Sequence, residues 1–413
     1  MLDPELSRLL LSILLLLSSA IVMGHVFSTF NFPRVIGEIC AGLILGPSVL
    51  GAYDIGIYNW IFNGFPEQGK MLSIFYWLGL ILLMFSAGFE MPARNDRENR
   101  KLYIVLFFGG IVPPFICGLI LSKFIPNTVE SNPYSFSLVV AVAAAVTSIP
   151  VLSRIFIDLK MVESYFAKTV LTVAATQGLF LWIILSIALE IQLGSISNSD
   201  FILNQMENLS LTVLFVVITI YVFPVVLKHV WTSVVSNLHE SSLIGYMLAI
   251  CLVLVTVSSI FKVNVVFAAL LAGLSISRFK GINMLHAKNN IRNFSTWFFV
   301  PLYFSLVGFK LDVKIAQFDF VLLLQILFAT SVVKCLGIFV FSKLGNISWS
   351  RGFDYGLAMN ARGGPGIVVA SIAYEAEIFD SELFLIFVII SIITSLLAGL
   401  WLRYRVESLL SSG

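Results

Sequence analysis

Long apolar runs separated by short polar stretches repeat along almost the whole chain. A hydrocarbon layer about 30 Å thick is crossed by roughly 20 residues of helix, and backbone polar groups inside it must be bonded internally. The pattern therefore predicts membrane-spanning helices, since the alternating segments of a membrane β-barrel are not visible. Polar borders divide the runs into thirteen predicted spans, at 8–27, 34–51, 71–90, 102–123, 135–157, 166–190, 209–230, 242–260, 263–278, 295–309, 319–342, 354–374 and 383–404.

Composition points the same way and excludes several classes of protein. The chain is 59% hydrophobic and 12% charged, more apolar than a soluble core of 413 residues can bury. A net charge of +2 without long basic runs argues against nucleic acid as a partner. The 4 cysteines lie apart inside apolar stretches, so we predict neither a disulfide framework, nor a metal site, nor a cofactor.

Lysine and arginine are distributed unevenly among the predicted loops. With thirteen spans, 17 of the 25 basic residues fall on one side, 6 on the other and 2 inside spans. Because cytoplasmic loops carry the excess of Lys and Arg, we predict an inner (plasma) membrane protein with its N-terminus outside and its C-terminus cytoplasmic. No loop is long enough for a soluble regulatory domain, so residues 1–413 are predicted to form one polytopic membrane domain.

Two of the predicted spans contain residues that interrupt a helix. Pro150 does so in the fifth span, although a single proline kink is common in membrane helices. The twelfth span is interrupted more strongly, by Asn360, Ala361, Arg362, Gly363, Gly364 and Pro365. Non-helical backbone at membrane depth is tolerated only where protein buries it or where it lines a cavity. The pair of breaks therefore indicates a secondary transporter with internal repeats and a site at mid-depth.

Two further ionisable residues lie within predicted spans. Lys334, in the middle of the eleventh span, is too far from either end to reach water and needs a carboxylate, backbone carbonyls or water as its partner. A structural and a functional role are both open for it. Glu38, in the second span, is predicted to lie near the cytoplasmic interface, where a structural role competes with that of an accessory carboxylate for transport.

Several segments, in the right order, resemble the monovalent cation/proton antiporters, which include bacterial sodium/proton exchangers and potassium efflux systems. The segments that carry the resemblance are 33–51, 83–90, 147–154, 300–308 and 359–363. Several long motifs make it specific. The resemblance implies an all-α integral membrane fold of about 13 transmembrane helices, with inverted repeats and two crossed discontinuous helices. It also implies a homodimer in the lipid bilayer, in which a core bundle moves against a dimerisation scaffold.

The chain departs from this family at one position that matters chemically. In such proteins the sixth span carries a carboxylate, as Asp-Asp, Asn-Asp or Gln-Asp shortly before an aromatic residue. If Trp182 fixes the alignment, Gln177 and Gly178 occupy this pair, and the essential aspartate has become glycine. A carboxylate lets one site hold either a cation or a proton, whereas a neutral amide does not exchange a proton near neutral pH.

The leading prediction is a secondary transporter of the antiporter type, with a monovalent cation and a proton as substrates. Its predicted pathway residues are Thr147, Ser148, Thr176, Gln177, Gly178, Lys334, Asn360 and Arg362. Without a core aspartate, the charges of Lys334 and Arg362 would favour an anion over a cation. The alternative is a transport-inactive or atypical member that serves as a sensor, a scaffold, a complex subunit or a transporter of another solute. No nucleophile elbow or metal-ligand spacing supports an enzyme.

Overall fold

The computed structural model describes residues 3–30, 34–90, 100–161, 164–193, 210–230, 240–261, 263–279, 282–311 and 318–410. Within these ranges the regular elements are helices and no strand occurs. The prediction of an all-α fold is therefore confirmed. Contacts divide the chain into two compact units, and each unit is described by itself.

The first unit contains Met1–Phe89, Val216–Ile260 and Val265–Gln317. Its helices are α1 (Asp3–Thr29), α2 (Arg34–Leu45), α3 (Ile55–Phe62), α4 (Gln68–Glu90), α10 (Phe223–Val230), α11 (Glu240–Ser258), α12 (Val265–Ser277), α13 (Ile282–Phe294) and α14 (Val300–Phe309). Helix α9 (210–217) is divided, because residues 210–215 belong to the second unit and residues 216–217 to the first. Turns of π-helix extend α2 at Pro47–Gly51, join α9 to α10 at Ile218–Val222 and precede α14 at Ser295–Phe299.

Close packing of α2 against α14 in this unit depends on glycine. Gly42 on α2 and Gly46, just after its end, are four residues apart, in the small-xxx-small pattern that lets helix backbones approach in membranes. A Cβ on Gly42 would overlap the carbonyl oxygen of Ser305, and one on Gly308 would overlap that of Ile39. The glycines of the segment 33–51 thus have a packing role within this unit.

The second unit contains Glu90–Phe215, Phe261–Asn264 and Phe318–Gly413. Its helices are α5 (Arg100–Leu121), α6 (Pro133–Ala145), α7 (Ile149–Asp158), α8 (Tyr165–Leu193), α15 (Phe320–Leu344), α16 (Trp349–Met359), α17 (Gly363–Glu375) and α18 (Ser381–Leu410). Both predicted helix breaks are present in this unit, the first between α6 and α7 and the second between α16 and α17.

Many of these helices have the length and composition of membrane spans. In the described part of the chain, 8 helical stretches are long and apolar enough to cross a membrane, and Ser210–Val226, Leu243–Ser258 and Val265–Ser277 are shorter apolar helices. The prediction of a polytopic membrane protein is confirmed. The count of thirteen spans and the internal inverted repeat stay predictions.

The local sequence explains where the helices restart after each break. Ser148 caps α7 by accepting a hydrogen bond from the amide of Val151 at 3.4 Å. Pro150 then lies in the first turn of α7, where an amide would have no intrahelical partner. Pro365 is the third residue of α17 and so also lies in the first turn of its helix. Each proline therefore begins a new helix after an interruption, and does not kink a continuous one.

Candidate functional site

The two helix breaks contact each other directly. The amide of Ser148 donates to the carbonyl oxygen of Ala361 at 2.7 Å, and the hydroxyl of Thr147 lies 2.9 Å from the carbonyl oxygen of Met359. Backbone groups that each interruption frees from its own helix are thus satisfied by the other. We call residues 145–148 and 359–363 together the crossing. It unites predicted site residues that are more than 200 positions apart in the chain.

Gly363 is required where α17 begins in the crossing. Its φ of +38° lies in the left-handed region that residues with a Cβ rarely adopt. A Cβ there would also lie 2.8 Å from the hydroxyl oxygen of Ser148. The Gly363 amide donates to the hydroxyl of Ser395 on α18 at 3.0 Å, which fixes the start of α17. Gly364, the next residue, lies beside open space, since a Cβ on it would have no neighbouring atom within 4 Å.

The fully buried ammonium of Lys334 binds to the first of the two breaks in the crossing. It donates to the carbonyl oxygens of Ala145 and Val146 at 2.8 and 2.7 Å, and to the hydroxyl of Thr147 at 2.9 Å. These carbonyls lie at the C-terminal end of α6, where a helix presents unsatisfied acceptors and a partial negative charge. The sequence left a carboxylate, backbone carbonyls and water as possible partners of Lys334, and in the structure the partners include backbone carbonyls.

Gln177 anchors α8 beside the crossing. Its side chain is fully buried, and its amide nitrogen lies 3.2 Å from the carbonyl oxygens of both Leu106 and Phe107 on α5. The Gln177 Oε1 atom lies 3.3 Å from the hydroxyl of Thr147. That hydroxyl has one proton, and its shorter contact is with the carbonyl of Met359. Gln177 therefore presents an acceptor oxygen to the crossing.

Gly178 is buried, yet space is open beside it. A Cβ added to Gly178 would meet no atom of a neighbouring element within 4 Å. This is the position at which the resemblance leads us to expect an aspartate, so a small acidic side chain has room to begin there. No carboxylate takes that place from elsewhere among the described residues of this unit.

Thr176 was predicted to line the pathway, but the structure does not bring it to the crossing. Its side chain is exposed, and its hydroxyl donates to the carbonyl of Thr172 one turn back on α8 at 3.0 Å. Neighbouring residues on a helix point in directions about 100° apart, so the inward orientation of Gln177 turns Thr176 away.

Arg362 and Asn360 differ from the other polar residues of the crossing because their polar atoms lack partners. The Arg362 side chain is 1% exposed, and Nε, Nη1 and Nη2 have no hydrogen-bond acceptor in the described part of the chain. The Oδ1 atom of Asn360 is likewise buried without a donor. Buried polar groups are nearly always satisfied, so such exceptions mark functional sites or unseen ligands.

No buried carboxylate among the described residues lies beside the cations of the crossing in the second unit. Asp354 on α16 accepts hydrogen bonds from Trp401 at 2.9 Å and from Arg405 at 3.2 Å, both on α18. Glu38 belongs to the first unit, where its side chain is 6% exposed beside Gly24 of α1. Over the residues that the structure describes, the second unit thus holds two buried cations at the crossing without a carboxylate beside them.

Thr147→Val tests how much the hydroxyl of Thr147 stabilises the crossing. Valine has a similar shape, but it removes an acceptor from Lys334 and a donor from the carbonyl of Met359. We expect destabilisation by about 2 kcal/mol, because two buried groups each lose a hydrogen bond. The measurement is the apparent melting temperature of the purified protein in detergent.

Thr394→Val is the matched control for that change. Thr394 is fully buried on α18, but its hydroxyl bonds only to the carbonyls of Ile390 and Ser391 in its own helix. We expect the Thr394→Val protein to melt close to the wild-type temperature. Equal melting of the two variants would contradict the role assigned to Thr147.

Sequence reasoning missed the groups that hold the site in place. They are the carbonyls that bind Gln177 and the hydroxyl of Ser395. For Lys334 the sequence left carbonyls open as partners, but not which carbonyls bind it. Backbone carbonyls have no signature in the sequence. Ser395 carried a weak signal, because it is a polar residue within the long apolar run of α18.

Crossed, interrupted helices inside an all-α membrane bundle define the class of secondary transporters with discontinuous helices. Residues 13–407 match the family described as "Sodium/hydrogen exchanger, transmembrane", and the chain belongs to this family. The family is one of cation/proton antiporters, which are transporters and not enzymes. The resemblance seen in the sequence is therefore confirmed.

Individual relatives span the same region. The Na(+)/H(+) antiporter NhaS4 of Synechocystis is 23% identical over 400 residues, which cover 95% of each chain. The K(+)/H(+) antiporter 1 of Saccharomyces cerevisiae is 26% identical over 391 residues, which cover 89% of this chain and 43% of the yeast protein. The solved structure of the sodium proton antiporter MjNhaP1 from Methanocaldococcus jannaschii at pH 8 has a TM-score of 0.69 at 16% identity, with 99% of each chain covered. That last likeness concerns the fold alone.

Proposed function

We propose that this chain is a secondary transporter that exchanges a monovalent cation for protons, with the crossing as its solute site. The observation that carries the proposal is the crossing itself. Its backbone groups bond between the two breaks and leave the oxygens of Gln177 and Asn360 without a strong donor. Neutral oxygens and unwound backbone are the ligands that transporters of this class use for monovalent cations.

Alternating access is the mechanism that fits such a site. The second unit, which holds both breaks, would be the moving core, and the first unit, with its glycine-packed α2 and α14, would be the dimerisation scaffold. The names of the relatives, which include Na(+)/H(+) and K(+)/H(+) antiporters, support sodium or potassium as the cation. We place the homodimer in the inner membrane, with the N-terminus outside and the C-terminus in the cytoplasm, following the distribution of Lys and Arg.

Proton coupling in this proposal does not run through the sixth span. Gly178 offers no titratable group there, and Gln177 is an amide. Glu38 is the buried carboxylate available for the task, because Asp354 already binds Trp401 and Arg405. One oxygen of Glu38 has no hydrogen-bond partner among the described residues, so a proton can bind there without breaking a described hydrogen bond.

A second candidate function is that of a family member without proton-coupled exchange, retained as a sensor or as a subunit of a complex. The observation that favours it is the combination of Gly178 with Lys334, whose ammonium is held by two carbonyls and a hydroxyl of the crossing. A cation fixed in this way occupies acceptors that a transported cation would otherwise use.

Ion exchange in proteoliposomes distinguishes the two candidates. Vesicles with an acidic interior and a pH-sensitive dye receive sodium or potassium gluconate in turn, so that no permeant anion is present. We expect cation-dependent alkalinisation above that of protein-free vesicles, and a strong decrease in Glu38→Gln.

Glu67→Gln is the matched control in the same unit. Glu67 is exposed and paired with Lys70, so its loss leaves exchange unchanged. Cation-dependent alkalinisation no faster than in protein-free vesicles would favour the second candidate. Equal rates in Glu38→Gln and wild type would remove Glu38 from the coupling.

A further inference from the structure

The guanidinium of Arg362 is the feature of the second unit that the proposed cation site leaves unexplained. It is 1% exposed, and its three nitrogens have no acceptor in the described part of the chain. Burying an ionised group without a partner costs far more than the few kcal/mol by which most proteins are stable. Among the residues that the structure describes, no group satisfies it, which leaves room for a bound ligand.

Two other cations of this unit, the fully buried Lys334 and the partly exposed Arg405, show which partners are usual here. Lys334 has two carbonyls and a hydroxyl, and Arg405 has the carboxylate of Asp354 and the hydroxyl of Ser350. Arg362 has neither kind of partner. The difference lies in the partners and not in burial, because Lys334 is buried as completely.

The surroundings of Arg362 all favour negative charge. The residue is the N-cap of α17, a helix of 13 residues, and the start of a helix carries a partial positive charge. The ammonium of Lys334 lies close enough to interact unfavourably with the guanidinium. Cys117 and Cys335, the titratable neighbours that interact with Arg362 besides Lys334, are thiols, which are neutral at neutral pH unless strongly perturbed. Within the described part of the chain, positive charge is thus concentrated without compensation.

The donors available at the start of α17 are of the kinds that bind anions. A guanidinium presents five N–H groups in a planar fork. The amide of Gly364 lies at the start of α17, beside space that a Cβ would not fill. Water satisfies hydrogen bonds but leaves the charge uncompensated, whereas an anion satisfies both.

We propose that the crossing binds a small monovalent inorganic anion, of the size of chloride, at the guanidinium of Arg362 and the start of α17. The enclosure of Arg362 restricts the ligand to a small ion. The anion neutralises the charge of Arg362 and halves the net positive charge that Arg362 and Lys334 place together, which no described carboxylate does. The test of this site measures binding and not transport, so its outcome is separate from that of the proposed exchange of cations.

Chloride-35 NMR of the purified protein in detergent tests the site directly. Exchange of chloride with a buried site broadens the resonance of bulk chloride, and bromide or nitrate reverses the broadening by competition. We expect saturable broadening with the wild-type protein. Arg362→Met is expected to raise the half-saturating chloride concentration about tenfold or more, because charge-assisted hydrogen bonds are lost. Lys343→Met, which removes an exposed cation from α15, retains the wild-type curve.

A second measurement keeps the test decisive if Arg362→Met does not fold. The wild-type melting temperature is followed at constant ionic strength while gluconate is replaced by chloride. Binding to the folded state raises it in proportion to the logarithm of chloride once the site is filled. Broadening of equal size in wild type and folded Arg362→Met, or equal melting in chloride and gluconate, would overturn the proposal and leave water as the partner of Arg362.

Discussion

Gly178→Asp is expected to raise cation-dependent proton exchange about tenfold or more, which corresponds to about 1.4 kcal/mol or more in the barrier. The position is buried, and a Cβ there meets no neighbouring atom within 4 Å, so the side chain starts into open space. An aspartate adds a group that holds either a cation or a proton, and it places a negative charge in the unit that holds the cations of the crossing. The measurement is the rate of alkalinisation in proteoliposomes on addition of sodium or potassium gluconate.

Two variants separate the chemistry of that carboxylate from its size and charge. Gly178→Asn has nearly the same shape but does not exchange a proton, so it keeps the slow wild-type rate. Gly69→Asp introduces the same residue on α4, where space is also open, and it leaves exchange unaltered. A folded Gly178→Asp protein that is no faster than Gly178→Asn would show that this position no longer belongs to a coupling site.

The fold was predictable to the extent that it depends on composition and on proline and glycine. Apolar length predicted the membrane helices, and Pro150 and the residues around Gly363 predicted both interruptions in the positions where the structure has them. The sequence did not distinguish lipid-facing from packed surfaces, because both are apolar. The contact of Gly42 with the backbone of Ser305, and the division into two units, therefore emerged only from the coordinates.

The candidate site was predictable as a set of residues but not as a network. Lys334 required a partner, and the sequence left three kinds open. The carbonyl of Val146 that binds it lies 188 positions away in the chain, so no local pattern could identify it. Thr176 and Gln177 are adjacent polar residues in an apolar helix, and only the packing of α8 against α5 decides which of them points inward. The unpartnered state of Arg362 is a property of three-dimensional surroundings and has no counterpart in the sequence.

Lys334→Met is expected to destabilise the protein by about 3 kcal/mol, as the result of two opposing effects. Methionine has a similar volume but no donor, so the buried carbonyls of Ala145 and Val146 and the hydroxyl of Thr147 lose a charged donor. Each buried group left unsatisfied costs about 1–3 kcal/mol. Against this, the variant no longer buries an ammonium and no longer repels Arg362. We expect the loss to dominate, because α6 ends at these carbonyls and no other described donor reaches them.

The melting temperature of the purified variant decides between these effects. Lys343→Met, on the exposed face of the same helix, is the control for loss of a lysine from α15 and is expected to melt near wild type. Lys334→Gln keeps a shorter, neutral donor and should fall between wild type and Lys334→Met. If Lys334→Met melts at or above the wild-type temperature, burial and repulsion of the charge outweigh its hydrogen bonds. Lys334 would then be retained at a cost in stability, and its role at the crossing would be functional and not structural.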